Sequence, residues 1–402
     1  MLNRTLPRTT AMTQRLPARL LTASATLLLL TASVPADAAA PAELISAIKS
    51  VDKKGKGNRA AREAVAELSG SEPAVLLPLL AAFRNANPLA TNYLRSAAET
   101  IVDRSIAAKK KLPRKRLEAF ITDRKNDPQA RRLAFEIVER VDDTVVDRLI
   151  PGMLTDPNPV FRRQAVARLL DLAGRLQKEN QQDLARSLYK RTLQGATDDD
   201  QVKTIAKLLR KMGEKVDLPR HFGFLTNWHI VGPFDNTGSK GFNVVYPPEK
   251  QVDLKAKLKG KLGAATWKSY KTTNDFGIVD IAKQISPYKG AVMYCTTVFE
   301  SKTPRSIQFR LGTPNAWKLW VNDRQVFANE EYHRGMKLDQ YSVPVTLRAG
   351  SNTILLKICQ NEQDQDWAQR YQFQVRTCDV SGIAVLSADR SAALFPSKET
   401  RP

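Results

Sequence analysis

Residues 145–173 read VVDRLIPGMLTDPNPVFRRQAVARLLDLA. In its second half, Phe161, Ala165, Val166, Leu169 and Leu170 recur at three- and four-residue spacing, which lays one apolar stripe along a helix. Asn158 stands where a side chain caps such a helix, and Pro159 suits its first turn. Val145 to Leu154 reads as a second amphipathic helix, with Asp156-Pro157-Asn158 as the sharp turn between them. A helical hairpin of this size cannot bury its apolar stripe alone and needs neighbours of its own kind.

Those neighbours are present. Asp127-Pro128-Gln129-Ala130-Arg131-Arg132-Leu133-Ala134 parallels Asn158-Pro159-Val160-Phe161-Arg162-Arg163-Gln164-Ala165. Leu76-Leu77-Pro78 parallels Leu149-Ile150-Pro151 in the other helix of the pair. Repeated helical hairpins stack into a solenoid. The 145–173 unit, with Pro151, Asp156 and Arg163, resembles a HEAT repeat, and weaker copies extend the resemblance over residues 41–215.

After a linker at 216–221, the period changes from 3.6 to 2. Ser306 to Gly312 and Ser342 to Leu347 alternate apolar and polar residues. Trp317, Leu319 and Val321 share one face, with Lys318 and Trp320 on the other. Asn322-Asp323 makes a tight hairpin turn, and Arg348-Ala349-Gly350-Ser351-Asn352 makes a second. Many short strands joined by such turns predict an antiparallel β-sandwich. Trp228 and Ile230 read as an edge or opening strand, ended at Pro233 because proline lacks a ladder donor. Lys255, Lys257, Lys259 and Lys261 read as an exposed loop.

The stretches KLWVNDRQVF (318–327) and VTLRAGSNTILLKICQ (345–360) resemble the galactose-binding-like jelly roll found in sugar-binding domains attached to glycoside hydrolases. FQVRTCDVSG fits its closing strand, and WHIVGPFD with GFNVVYPPE fits its opening segment. The expected fold is therefore multidomain, α then β: a HEAT-like α-solenoid at 41–215, then an antiparallel jelly-roll sandwich at 222–389 and a C-terminal tail at 390–402. Together these features resemble an exported bacterial HEAT-repeat protein with a C-terminal galactose-binding-like domain. The resemblance leaves the ligand open, since folds of this kind host many functions.

The N-terminus predicts the compartment. Arg4, Arg8, Arg15 and Arg19 precede an apolar run from Leu20 to Leu30, and Ala36-Asp37-Ala38 follows. This is the pattern of a cleaved signal peptide over residues 1–40, starting at Met1 or Met12. The run is shorter than the ~20 residues a membrane span needs, so a secreted or periplasmic chain with no transmembrane segment after cleavage is expected. Cys295, Cys359 and Cys378 are odd in number, without metal or redox spacing, and Cys295 and Cys359 sit in apolar strand-like runs that favour buried thiols.

With 63 Lys and Arg against 41 Asp and Glu, the formal net charge is +22, which suits an anionic partner such as an acidic cell-surface polymer. The densest cluster is Lys109-Lys110-Lys111 with Arg114-Lys115-Arg116. It lacks interleaved aromatics, and with export this disfavours nucleic acid. None of His221, His229 and His333 stands in a metal-ligand spacing, and no nucleophile elbow or phosphate loop is present, so neither cofactor nor catalytic residue is assigned. The binding candidates lie in ANEEYHRGMKLDQY (328–341): Glu331, Tyr332, His333 and Arg334, with Tyr332 suited to stack on a sugar ring. Trp367, in a second polar loop, completes the set. The expected function is a non-enzymatic binding or scaffold protein for a glycan or protein partner. The alternatives are an accessory or catalytic protein of polysaccharide breakdown, with Glu330 and Glu331 as the carboxylates, or a structural envelope protein.

Overall fold

The computed structural model describes residues 40–390. The expected signal peptide and nearly all of the C-terminal tail lie outside these residues. Among the described residues no helix is long and apolar enough to cross a membrane.

Helices fill the first part of the chain: α1 (Pro41–Lys49), α2 (Asn58–Leu68), α3 (Leu76–Ala81), α4 (Pro88–Ala107), α5 (Arg114–Thr122), α6 (Pro128–Glu139), α7 (Val145–Leu149), α8 (Pro159–Lys178), α9 (Gln182–Gly195), α10 (Asp199–Lys211) and α11 (Leu218–Phe222). Sequential and near-sequential pairs pack together: α1 on α2 and α4, α5 on α6, α8 on α9, α9 on α10. Asn158 caps α8 through its side-chain oxygen, which accepts from the Val160 and Phe161 amides. The stripe of α8 is buried at Phe161, Ala165, Val166 and Leu169. The 145–154 segment is not one helix. It tightens to a 3-10 turn at Ile150–Met153, because Pro151 cannot donate to the preceding turn.

The parallel arginines Arg131 and Arg162 are both buried. Arg131 donates from both terminal nitrogens to Asp156, at 2.9 and 2.6 Å, and its guanidinium lies 5.5 Å from the Phe161 ring centre. Among the described residues Arg162 forms no ion pair of this kind. It donates instead to the Asp156 carbonyl, to Thr197 Oγ1 and to the Ser381 carbonyl of the β region. The β region thus joins the turn between α9 and α10 in satisfying Arg162 near the end of the helical stack.

The strands are β1 (Asn227–Asp235), β2 (Lys257–Gly260), β3 (Gly263–Thr266), β4 (Lys268–Lys271), β5 (Val279–Asp280), β6 (Ala291–Ser301), β7 (Arg305–Gly312), β8 (Ala316–Val321), β9 (Arg324–Asn329), β10 (Tyr341–Leu347), β11 (Gly350–Gln360) and β12 (Gln372–Cys378). Among the described residues they form a sheet of order β4-β1-β6-β11-β8-β9, a second of order β10-β7-β12-β5, and the small hairpin β2-β3, with antiparallel pairing throughout. The two larger sheets bury a shared core. Trp228, Trp317, Leu319, Leu356 and Ile358 from one face meet Phe309, Val345, Phe373 and Val375 from the other. Trp228 stands edge-on to Phe373, with ring centres 5.1 Å apart.

Three details differ from the sequence reading. β1 is not an edge, since β4 and β6 flank it. Pro233 does not end the strand: β1 continues to Asp235 past a register shift between Val231 and Phe234, with a cis Gly232-Pro233 bond. The lysine stretch 255–261 is not all loop, because Lys257 and Lys259 lie in β2.

Residues 236–267 fold over the outer face of the six-stranded sheet, where Phe242, Tyr246, Ala265 and Trp267 cover Phe234, Tyr294, Trp320 and Cys359. The side chain of Lys357 in β11 is wholly buried beneath this cover. It donates to the carbonyls of Phe242 and Val244, at 3.0 and 2.7 Å, and to Glu249 at 2.8 Å. Tyr294 donates to the same carboxylate. The three cysteines are free and buried, and burial raises the Cys359 thiol to about 12, which keeps it protonated.

Residues 216–221, read as a linker, carry Val216 and Leu218 into the helical core. The seam between helices and sheets is dense. Phe222, Phe224 and Phe276 pack together, and Arg210 pairs with both oxygens of Asp275 at 2.8 and 2.9 Å. His221 Nε2 lies 2.8 Å from the Ala196 carbonyl, beside a seam cavity of about 220 Å³.

Phe161→Ala should open a cavity under Arg131 and cost about 3–5 kcal/mol in a denaturant titration. A second expectation concerns pH. Burial moves the His221 imidazole from 6.5 down to about 4. The unfolded chain then takes up a proton at higher pH than the folded one, so this contribution is complete above pH 6.5 and is lost as pH falls toward 4. Between neutral pH and about pH 4.5, the wild type should lose on the order of 2 kcal/mol more than His221→Gln.

Candidate functional site

One end of the sandwich gathers the loops. β1, β9 and β11 finish there, and β6, β8, β10 and β12 begin there. β9 is an edge of the six-stranded sheet and β10 an edge of the four-stranded sheet, so the 330–340 segment must cross from one to the other. That crossing explains its length. Asp339 anchors its far half, accepting from Arg310 at 2.7 Å and from Arg376 at 2.6 Å. Burial pushes the Asp339 carboxyl up, but the two arginines outweigh it and hold the carboxyl below its ordinary value. Gly312 permits the crossing: a Cβ there would sit 2.3 Å from the Lys337 carbonyl oxygen.

The near half carries the residues singled out from sequence. Tyr332 is half-buried, its ring packed against the core under the 236–267 cover, and its hydroxyl accepts from Asn236 Nδ2 at 3.2 Å. A stacking platform is therefore not what this ring offers. His333 adopts φ +58° and meets the Asn361 side-chain oxygen at 2.6 Å. Its ring stands edge-on to Trp367, with centres 5.1 Å apart, and Trp367 is 60% exposed. Trp367 is thus the aromatic with a free face. Glu331 and Arg334 pair at 2.8 Å. The hydrogen bond from Arg334 holds the Glu331 carboxyl below its ordinary value, the wrong direction for a general acid of glycoside cleavage.

Asn236, Asn361 and Glu362 belong to this end and were not singled out from sequence. Asn236 is fully buried and also donates to the Gln360 carbonyl at 3.0 Å, while its side-chain oxygen has no partner among the described residues. Glu362 accepts from the Gly238 amide. The signal available was the Asp235-Asn236-Thr237-Gly238 turn, which carries no hint of a partner 96 positions away. Chemically the cluster presents an open aromatic face beside amide, imidazole, carboxylate and guanidinium groups, a set suited to hydroxyl-rich ligands. Among the described residues no three His, Cys, Asp or Glu side chains converge as metal ligands would. A separate hollow of about 440 Å³ lies over β1 and β6, lined by His229, Thr296, Thr353 and Arg390 among others.

No protein-family model matches the chain, and no curated protein matches it. Among solved structures, the β-glucosidase of Kluyveromyces marxianus in complex with glucose is 12% identical over 28% of this chain and 14% of its own, with a TM-score of 0.22. The selenomethionine-labelled form of a β-glucosidase from the same organism is 11% identical over 38% and 17%, with a TM-score of 0.25. The GH31 α-xylosidase of Xanthomonas citri is 13% identical over 29% and 15%, with a TM-score of 0.18. The chain spans no more than 17% of the length of any of these three, and TM-scores this low do not define a shared fold.

Asn236→Ala should leave the Gln360 carbonyl short of a donor and remove one partner of the Tyr332 hydroxyl. The expected cost is about 1–3 kcal/mol, measured by denaturant titration.

Proposed function

We propose that this chain is a non-enzymatic, exported binding or scaffold protein: a HEAT-like helical array joined near 216–221 to a galactose-binding-like jelly roll that recognises a neutral glycan at its loop end. The observation that supports this reading is Trp367, a large exposed aromatic braced edge-on by His333, with Glu331, Arg334 and Asn361 close by. An aromatic face bordered by fixed polar groups suits a sugar ring, whose apolar face stacks while its hydroxyls exchange hydrogen bonds. Tyr332 contributes to this reading by fixing the loop rather than by stacking.

The test is a glycan array probed with the full chain, alongside a hydrolysis assay on the same glycans. Binding without turnover is expected. Trp367→Ala should weaken it about tenfold or more at unchanged melting temperature. Turnover abolished by Glu331→Gln would replace the binding role with a catalytic one, and an array blank at every concentration would leave the scaffold role without the glycan.

A further inference from the structure

The sandwich and the helical array meet along a second concave surface, away from the Trp367 face. Two adjoining hollows of about 440 and 750 Å³, with Lys203 and Phe276 common to both, lie between α10 and the outer side of the four-stranded sheet and together make an interrupted groove. One wall is the exposed face of α10, with Lys203, Lys207 and Lys211 at four-residue spacing. The other carries Lys283, Lys337 and Arg370, with the amides of Gln372 and Gln374 along it. The two acids of the lining are already engaged: Asp199 pairs with Lys203 at 2.8 Å, and Asp275 with Arg210. Lys283 pairs with Asp280 at 3.6 Å. Among the described residues the cations without a carboxylate partner are therefore Lys207 and Lys211 at the smaller hollow and Lys337 and Arg370 at the larger. They concentrate positive potential along the pair of hollows.

We propose that this groove binds a linear carboxylated glycan, a polyuronate, lying along α10. Four helical residues rise about 6 Å, so the lysines repeat at a distance suited to a chain bearing one carboxylate per sugar ring. The glutamine amides add donors for ring hydroxyls. A nucleic acid is less well served. The groove's aromatic, Phe276, packs against Phe222 and Phe224, and the Lys203 ammonium lies 4.8 Å from its ring centre, so no open face remains for a base. The walls are also fixed relative to each other, since the Arg210–Asp275 pair spans them and Leu338, beside Lys337, packs on the helical core. A preset groove loses little entropy in ordering itself around a chain. This site is independent of the loop-end reading.

The experiment measures binding of the full chain to polygalacturonate oligomers by calorimetry at low and high salt. Affinity should fall steeply as salt rises, because the contacts are exposed ion pairs. Replacing Lys207, Lys211 and Lys337 together by Gln should weaken binding about tenfold or more, while Arg at the same positions should retain it. Gln at Lys109, Lys111 and Lys115 removes the same charge from the densest cluster in the sequence and should change affinity little. Trp367→Ala should change nothing here, which keeps failure of this groove distinct from failure of the loop-end site. No binding of polygalacturonate, equal weakening by the two Gln triples, or tighter binding of a single-stranded oligodeoxynucleotide of equal charge would each overturn the proposal.

Discussion

The guanidinium of Arg376 is a buried tie between the two halves of the molecule. It is 2% exposed, too large a charge to bury without full pairing. From β12 it reaches Asp339 in the crossing loop, the Phe222 carbonyl at the end of α11, and the Gly382 carbonyl in the segment after β12. Four parts of the chain are thereby set by one group whose donors must all be satisfied. The consequences run outward. Fixing Phe222 fixes α11 and with it the last helices. Fixing Asp339 sets the crossing loop, which presents Tyr332 and His333 on one side and Lys337 on the other. The loop end and the basic groove are two faces of the same constrained segment.

A second buried charge organises the other side of the sandwich. β11 is hydrophobic on both faces because both faces are covered: Leu356 and Ile358 meet the opposite sheet, and Leu355 and Cys359 meet the 236–267 layer. Lys357 lies on the covered face and is hydrogen-bonded by that layer, through Glu249 and two loop carbonyls. Without the layer it would face water, and without Lys357 the layer would lose its central ties. This accounts for the aromatic and proline-rich stretch from Phe242 to Glu249, which is a lid on a sheet. It also places Asn236 against the Tyr332 hydroxyl, so the cover and the candidate site share a boundary.

The helical array follows the same principle. Arg131 is paired inside the array by Asp156, whereas its counterpart Arg162 is completed by Thr197 and by the Ser381 carbonyl from the β region. A stack of hairpins always leaves its last member with an uncovered face. Here the sandwich supplies that cover, and the helical core runs on into Phe222 and Phe224. The two regions pack directly on each other at this seam, which sets the two sides of the groove beside α10.

Much of the fold was legible from residues near one another in the chain. The stripe on α8, its Asn158 cap, the change of period after residue 221 and the Asn322-Asp323 turn, with both residues at positive φ, depend on spacing within one element. The position of β1 inside its sheet, the strand's passage through Pro233 and the break in 145–154 were less legible, because each depends on what a neighbouring segment does with the backbone. The candidate residues Glu331, Tyr332, His333, Arg334 and Trp367 could be picked out by type, but not their different surroundings. Local periodicity determines which elements form, since a helix or strand needs only its own residues to declare its apolar face. Which of two aromatics is half-buried and which is open, which arginine finds a carboxylate, and which lysines line neighbouring hollows depend on contacts between segments far apart in the chain, and only the packed tertiary structure decides them.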